Sequence, residues 1–258
     1  MPATAYRNVL VTGATSGIGE ALALGFARRG AAHLFICGRD ADRLARAAAA
    51  CTAAGATVHA RALDVADAAA TRAWIEEADA EAPLDLVVAN AGIGTTDETE
   101  PNIRRMFAIN VGGVLNTVFP AIDVFSDAAR AAARRRRQIA IVSSLTGYHG
   151  MPTCPSYSAS KACVKAWGAG LRGSLAGRGI DVNVICPGFV RSRITDRNTC
   201  PMPFFMEAET AADLIITRLS RNIGLIAFPW PMRLAMWGIS ALPERLSAWL
   251  FARLPEKA

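Results

Sequence analysis

Short apolar runs recur along the chain between longer amphipathic segments: Asn8 to Val11, His33 to Cys37, Val58 to Ala60, Leu84 to Ala89, Gln138 to Val142 and Asp181 to Cys186. Runs of three to six residues are too short for helices and too continuous for half-exposed strands, so they predict strands buried on both faces. The intervening segments carry helical periodicity, and the alternation predicts repeated βα units. Right-handed crossovers then place every strand's C-terminal end along one edge of a parallel sheet. Gly224 to Phe228 predicts a last strand, giving an α/β, Rossmann-type, doubly wound domain with about seven parallel strands and helices on both faces.

At 258 residues the chain can bury one core, and residues 1–258 read as a single domain without an internal linker or repeat. The Ala-rich stretches at 47–50 and 128–133 read as helix. The net charge of +6 comes mostly from scattered arginines. The one dense run, Arg134 to Arg137, suits a helix C-terminus and a solvated loop, and lacks the aromatic platform of a nucleic-acid surface. Six cysteines without paired ligand spacing and only three histidines (His33, His59, His149) give no metal site. With no signal-peptide pattern they predict a cytoplasmic protein with reduced thiols, Cys37 and Cys186 serving as small core hydrophobes. Arg233, Pro243, Glu244 and Arg245 interrupt the apolar segment Met232 to Phe251 too soon for a bilayer span.

Chemistry-bearing residues fall where the predicted strands end: Gly13 to Gly19, Arg39, Asp64, Asn90 to Gly92, Ser143 and Ser144, and Pro187 to Gly188. In an open parallel sheet that edge is where ligands bind. Thr12, Gly13, Ala14, Thr15, Ser16, Gly17, Ile18 and Gly19 follow a strand and open a helix. Glycines there let backbone approach a pyrophosphate, and the helix N-terminus offers free N–H groups and partial positive charge. Tyr157 and Lys161 stand four residues apart on a predicted helix, hence on one face. A neighbouring ammonium stabilises a phenolate, so the pair is a candidate proton-transfer device with a lowered tyrosine pKa.

TGATSGIG, Asn90-Ala91-Gly92, and Ser144 thirteen residues before Tyr157-Ser158-Ala159-Ser160-Lys161 resemble the short-chain dehydrogenase/reductase family over residues 7–192. The resemblance implies an oxidoreductase that moves hydride between nicotinamide and a carbonyl/alcohol pair. It gives Tyr157 as acid/base, Lys161 as the residue that lowers its pKa and holds the nicotinamide ribose, and Ser144, rather than Ser143, as the residue that positions the substrate oxygen. Asn110 matches a helix asparagine whose backbone supports a water chain to the lysine, with a local helix distortion as the alternative. Gly13, Thr15, Ser16, Gly17, Ile18, Gly19, Asn90, Ala91 and Gly92 become cofactor residues.

The resemblance also implies where cofactor choice is made, at the end of the second strand. NAD-preferring relatives carry an acid there; this chain has Gly38 followed by Arg39, whose guanidinium suits a 2′-phosphate. NADP(H) is therefore favoured, with NAD(H) the alternative. Asp64 and Val65 correspond to residues at the adenine, although Asp64 could instead cap the next helix, which starts near Asp67. Pro187-Gly188-Phe189-Val190-Arg191-Ser192 matches the family's PGxVxT turn, with Pro187, Gly188, Val190 and Ser192 at the cofactor. Residues 193–212 correspond to the substrate loop. Apolar Phe204 and Phe205 there, with Phe189, and Met151 and Cys154 opposite, suggest an apolar substrate; a lid packed on the core is the other reading.

The C-terminal part, 229–258, departs from the family. Its two amphipathic segments carry Trp237, Trp249 and Phe251, which suit packing onto the core or a homodimer ahead of peripheral membrane contact. A homo-oligomer, dimer or tetramer, is expected. A fold that binds NADP without turnover, as a regulator or scaffold, is the alternative to an enzyme.

Overall fold

The computed structural model describes residues 5–95, 97–127, 136–197 and 201–251. The expected helix at 128–133, Arg134, Arg135, Cys200, Arg253 and the side chains of Trp249 and Phe251 lie outside the described set. Seven strands form one parallel sheet: β1 Asn8–Thr12, β2 His33–Gly38, β3 Thr57–Ala62, β4 Leu86–Ala89, β5 Gln138–Val142, β6 Asp181–Pro187 and β7 Leu225–Phe228. Their spatial order is β3-β2-β1-β4-β5-β6-β7, so the order reverses between β1 and β4. The helices are α1 Gly17–Arg28, α2 Ala41–Ala53, α3 Ala68–Glu81, α4 Glu100–Phe107, α5 Gly113–Ser126, α6 Pro155–Ala176, α7 Ala208–Ser220, α8 Trp230–Ser240 and α9 Glu244–Phe251.

Alternate strand residues feed two cores. Val9, Val11, Leu34 and Ile36 pack with Leu22 and Phe26 of α1 and Ile215 of α7. Leu10, Phe35, Val87 and Ile139 face the other way, onto Trp74 and Ile75 of α3 and Val118 and Phe125 of α5. Each fully buried side chain of this size contributes about 1.5–3 kcal/mol, which is why the central runs are apolar without alternation. Edge strand β3 is different: only one flank is paired, and its residues are partly or fully exposed. Burial pushes the Cys37 thiol up to about 12 and Cys186 up to about 11, so both behave as inert core groups.

Caps mark where helices begin. Asp40 accepts from the Arg43 N–H at 3.0 Å and Asp67 from the Ala70 N–H at 3.0 Å. Asp67 is thus the cap of α3, while Asp64 makes a tight turn by accepting from the Ala66 N–H at 3.0 Å. Arg137 donates to the Phe125 carbonyl at 3.2 Å, close to the end of α5, where a cation is favoured by the helix dipole. Pro229 precedes α8 and Pro231 sits in its first turn, where a missing N–H costs nothing. One side of α8 joins the protein's own core, Met232 and Met236 packing by Tyr148, Leu145 and Ala227. Trp230, Leu234 and Trp237 face outward, 57–74% exposed.

At the N-terminal ends of the strands, buried Asp85 accepts from the N–H groups of Arg7 (2.6 Å), Asn8 (3.0 Å) and Arg136 (3.3 Å). It ties the starts of β1 and β5 to the segment leading into β4. Asp85→Ala leaves three donors without their acceptor, each costing about 1–3 kcal/mol when buried. The expected outcome is a loss of about 3 kcal/mol or more in urea denaturation.

Candidate active site

A cleft of about 780 Å³ opens at the C-terminal edge of the sheet, over the point where strand order reverses. Its floor is the turn after β1. Gly13 has φ +69° and Gly17 φ +57°, both in the left-handed region. A Cβ on Gly13 would stand 2.7 Å from the Ala91 Cα, and one on Gly17 2.8 Å from the Ser192 Cβ. A Cβ on Gly19 would collide with the Asn90 side chain and the Gly13 carbonyl. The turn therefore admits no side chain at Gly13, Gly17 or Gly19.

Thr12 and Asn90 lock this turn to the end of β4. The Thr12 hydroxyl accepts from the N–H groups of Asn90 (3.0 Å) and Ala91 (3.1 Å), while Asn90 Nδ2 donates to the carbonyls of Thr12 (2.9 Å) and Gly13 (3.2 Å). The structuring role of Thr12 is invisible in a strand-terminal threonine read alone. It leaves Thr15, Ser16 and Ile18 lining the cleft beside Gly13.

Lys161 is 3% exposed, and its ammonium donates to the Val142 carbonyl at 3.1 Å. Nζ stands 5.8 Å from the centre of the Tyr157 ring. Burial lowers the Lys161 pKa to about 8. Burial likewise raises Tyr157 to about 12, with only the Ser144 hydroxyl pulling the other way. The expected lowering of the phenol by Lys161 is absent: desolvation sets the shift, and the ammonium, 5.8 Å from the ring centre, donates to the Val142 carbonyl instead.

The two serines after β5 point in different directions. Ser143 is buried and donates to the Lys161 carbonyl at 2.7 Å, so it braces α6. Ser144 faces the cleft, its oxygen accepting from the Thr146 N–H (3.2 Å) and hydroxyl (3.0 Å) and standing by Tyr157.

Asn110 lies in a π-helical turn, Ala108–Gly112, between α4 and α5, so the helix distortion is present and brings the residue to the site. Its Oδ1 accepts from the Ile93 N–H at 2.8 Å, and its Nδ2 donates to the Ile93 carbonyl at 2.9 Å and to Ser160 Oγ at 3.1 Å. Ser160 in turn donates to the Tyr157 carbonyl at 2.8 Å.

At the far end of the cleft, Arg39 stands 3.5 Å from Asp64, both about 43% exposed. Arg43, paired with Asp40 at 2.7 Å, and Arg193 line the same cleft. Val65, Gly92, Pro187, Gly188, Val190 and Ser192 also line it. Of the residues expected to contact substrate, Ser144 lines the cleft, whereas Met151, Cys154, Phe189, Phe204 and Phe205 do not. Phe204 is 57% exposed, and Phe205 lies under the Arg191 guanidinium, which forms a two-pronged ion pair with Glu207. Ile93, Gly94, Thr95 and Ile194 occupy the wall instead. They follow the Asn90 and Ser192 motifs directly, and that adjacency was the available signal.

The short chain dehydrogenase family model matches residues 7–201. An uncharacterised oxidoreductase of Myxococcus xanthus is 39% identical over 251 residues, covering 95% of this chain and 96% of its own. A short-chain dehydrogenase from Sphingobium yanoikuyae, solved in complex with NADPH, superposes with a TM-score of 0.77 at 26% identity, covering 98% of this chain and 94% of that one. A short-chain dehydrogenase from Mycobacterium paratuberculosis bound to NAD shares the fold, with a TM-score of 0.76 at 24% identity over 88% of this chain and 98% of that one. With the glycine turn, the serine–tyrosine–lysine group and the parallel sheet in their expected places, the chain belongs to the short-chain dehydrogenase/reductase family of oxidoreductases.

Proposed function

We propose that the protein is an NADP(H)-dependent reductase of a carbonyl group, with Tyr157 as its acid. The observation that carries this reading is the placement of Ser144, Tyr157 and Lys161 on one wall of a cleft whose floor is a glycine-rich turn at a helix N-terminus. That turn fits a dinucleotide: the close approach at Gly13, Gly17 and Gly19 leaves backbone N–H groups for a pyrophosphate. When bound, the nicotinamide supplies hydride to the carbonyl carbon.

This chain's residues handle the oxygen. Ser144 and Tyr157 donate hydrogen bonds to it, strengthening as negative charge develops. A phenol with a pKa near 12 is fully protonated at neutral pH. It is therefore ready to give its proton to an alkoxide, which favours the carbonyl-to-alcohol direction. Lys161, titrating near 8, can hold a proton or release it at physiological pH and so restore the phenol. Asn110 and Ser160 hold the backbone of Tyr157 from below.

Arg39 supports the choice of NADP(H). Position 38 carries no carboxylate, and a Cβ there would require the Thr15 side chain to turn aside. The exposed ion pair with Asp64 is weak, so Arg39 can turn to a 2′-phosphate.

Three outcomes are expected. Tyr157→Phe reduces kcat by about 10²–10⁴-fold on a panel of apolar ketones and aldehydes while NADPH affinity holds. Wild-type protein that binds NADPH yet turns over none of the panel overturns the enzymatic reading. Arg39→Asp raises the ratio of KM for NADPH to KM for NADH by about 10–100-fold; an unchanged ratio removes Arg39 from cofactor selection. Lys161→Met abolishes turnover but raises Tm at pH 7. Its ammonium has a folded pKa of about 8 against 10.5 for a free lysine, so the unfolded chain binds more protons between these values and stability climbs with pH there. The gain from Met, up to about 3 kcal/mol below pH 8, should shrink as melts are repeated toward pH 10. A Tm gain that does not change with pH would contradict a desolvated ammonium.

A further inference from the structure

Helix α6 carries Tyr157 in its first turn yet has no cap of its own. Its N-cap residue is Cys154, which makes no capping bond, and the first turn contains no acidic residue. Pro155 has no N–H to offer, which leaves the N–H groups of Ser156 and Tyr157 at the positive end of a helix 22 residues long.

That end is occupied from elsewhere in the chain. Glu98, 58 residues earlier, accepts from the Ser156 N–H through Oε1 at 3.4 Å and from the Ser156 hydroxyl through Oε2. One carboxylate thus takes both donors of the residue next to Tyr157.

Glu98 is itself held in place. It lies half-buried in the segment that leaves β4, just after two anchored residues. Ile93 is clasped by Asn110 through both its N–H and its carbonyl. Asp97 is bound to Asn102 of α4, whose Nδ2 donates to the Asp97 carboxylate at 3.1 Å, and it exchanges hydrogen bonds with Thr95. Next to Ile93 the backbone at Gly94 passes the Tyr157 ring: a Cβ there would lie 3.9 Å from Cδ2.

We propose that Glu98 is a positioning residue, which fixes the Tyr157 phenol in the cleft by capping the first turn of α6 through Ser156. Tyr157 is then gripped from two sides. Asn110 and Ser160 hold its carbonyl, and Glu98 holds the residue before it. The functional part of the proposal rests on Tyr157 being the acid; the positional part does not.

The chain contains three tyrosines, Tyr6, Tyr148 and Tyr157, so protein labelled with 3-fluorotyrosine should give three fluorine resonances. Tyr157→Phe identifies the one of interest. Glu98→Ala and Ser156→Ala should each shift or broaden the Tyr157 resonance and leave that of Tyr6 in place, and the double variant should go no further than either single one. Glu98→Gln, which keeps an acceptor for Ser156, should bring the resonance back toward wild type. In the NADPH complex, Glu98→Ala should lower kcat on the carbonyl panel by about tenfold or more with NADPH affinity unchanged, since small misplacements of a reacting group are costly.

A Tyr157 resonance unmoved by Glu98→Ala overturns the proposal. So does a change that moves all three resonances together with a fall in Tm, which marks a general loss of stability. If no carbonyl is turned over by wild type, the enzymatic reading fails while the fluorine spectra still decide whether Glu98 positions Tyr157.

Discussion

The most demanding element of this molecule is a lysine ammonium taken out of water. Lys161 is 3% exposed, and the Val142 carbonyl is the partner that accepts its proton. Desolvating a cation is among the costliest steps in folding, and here it is met by a displaced pKa as well as by a polar contact. Much of the surrounding architecture can be read as support for that burial. Ser143 braces the helix at the Lys161 carbonyl, Gly147 leaves room for the same backbone, and Gly92 stands where a Cβ would meet both Lys161 Nζ and Asn110 Oδ1 at 3.2 Å.

Around that lysine the site is built chiefly from side chains bonded to backbone. Thr12, Asn90, Asn110 and Ser143 each reach a main-chain group outside their own element, and Ser160 reaches back to Tyr157 within α6. Such bonds fix distances between elements more tightly than apolar packing, which tolerates rotamer exchange. The apolar cores on the two faces supply the driving force for folding, and the polar contacts at the sheet edge set where its end loops stand.

The parts legible in the sequence were those whose physics is local. Strands such as Val9 to Val11 and Ile139 to Val142 show as continuous apolar runs because both faces are covered. The glycine turn shows because positive φ and close approach leave one residue type able to serve. Tyr157 and Lys161 show because a helix puts residues four apart on one side. What depends on distance through space did not show. The raised phenol pKa follows from how deeply the ring sits and where the ammonium points, neither of which a spacing of four encodes. Glu98 was passed over because its partner is 58 residues away and nothing at Cys154 announces a missing cap. Phe204 and Phe205 gave an apolar signal that the fold directs to the surface and to Arg191 rather than into the cleft.

The contact between Gly38 and Thr15 has a consequence for how such a protein can change over time. At the end of β2, a side chain at Gly38 fits only if the Thr15 side chain in the turn after β1 turns aside. Two positions in different elements are thereby coupled, and a substitution at Gly38 is felt at Thr15. Variation is channelled to Arg39, which is exposed, weakly paired and free to be replaced without disturbing the cradle behind it.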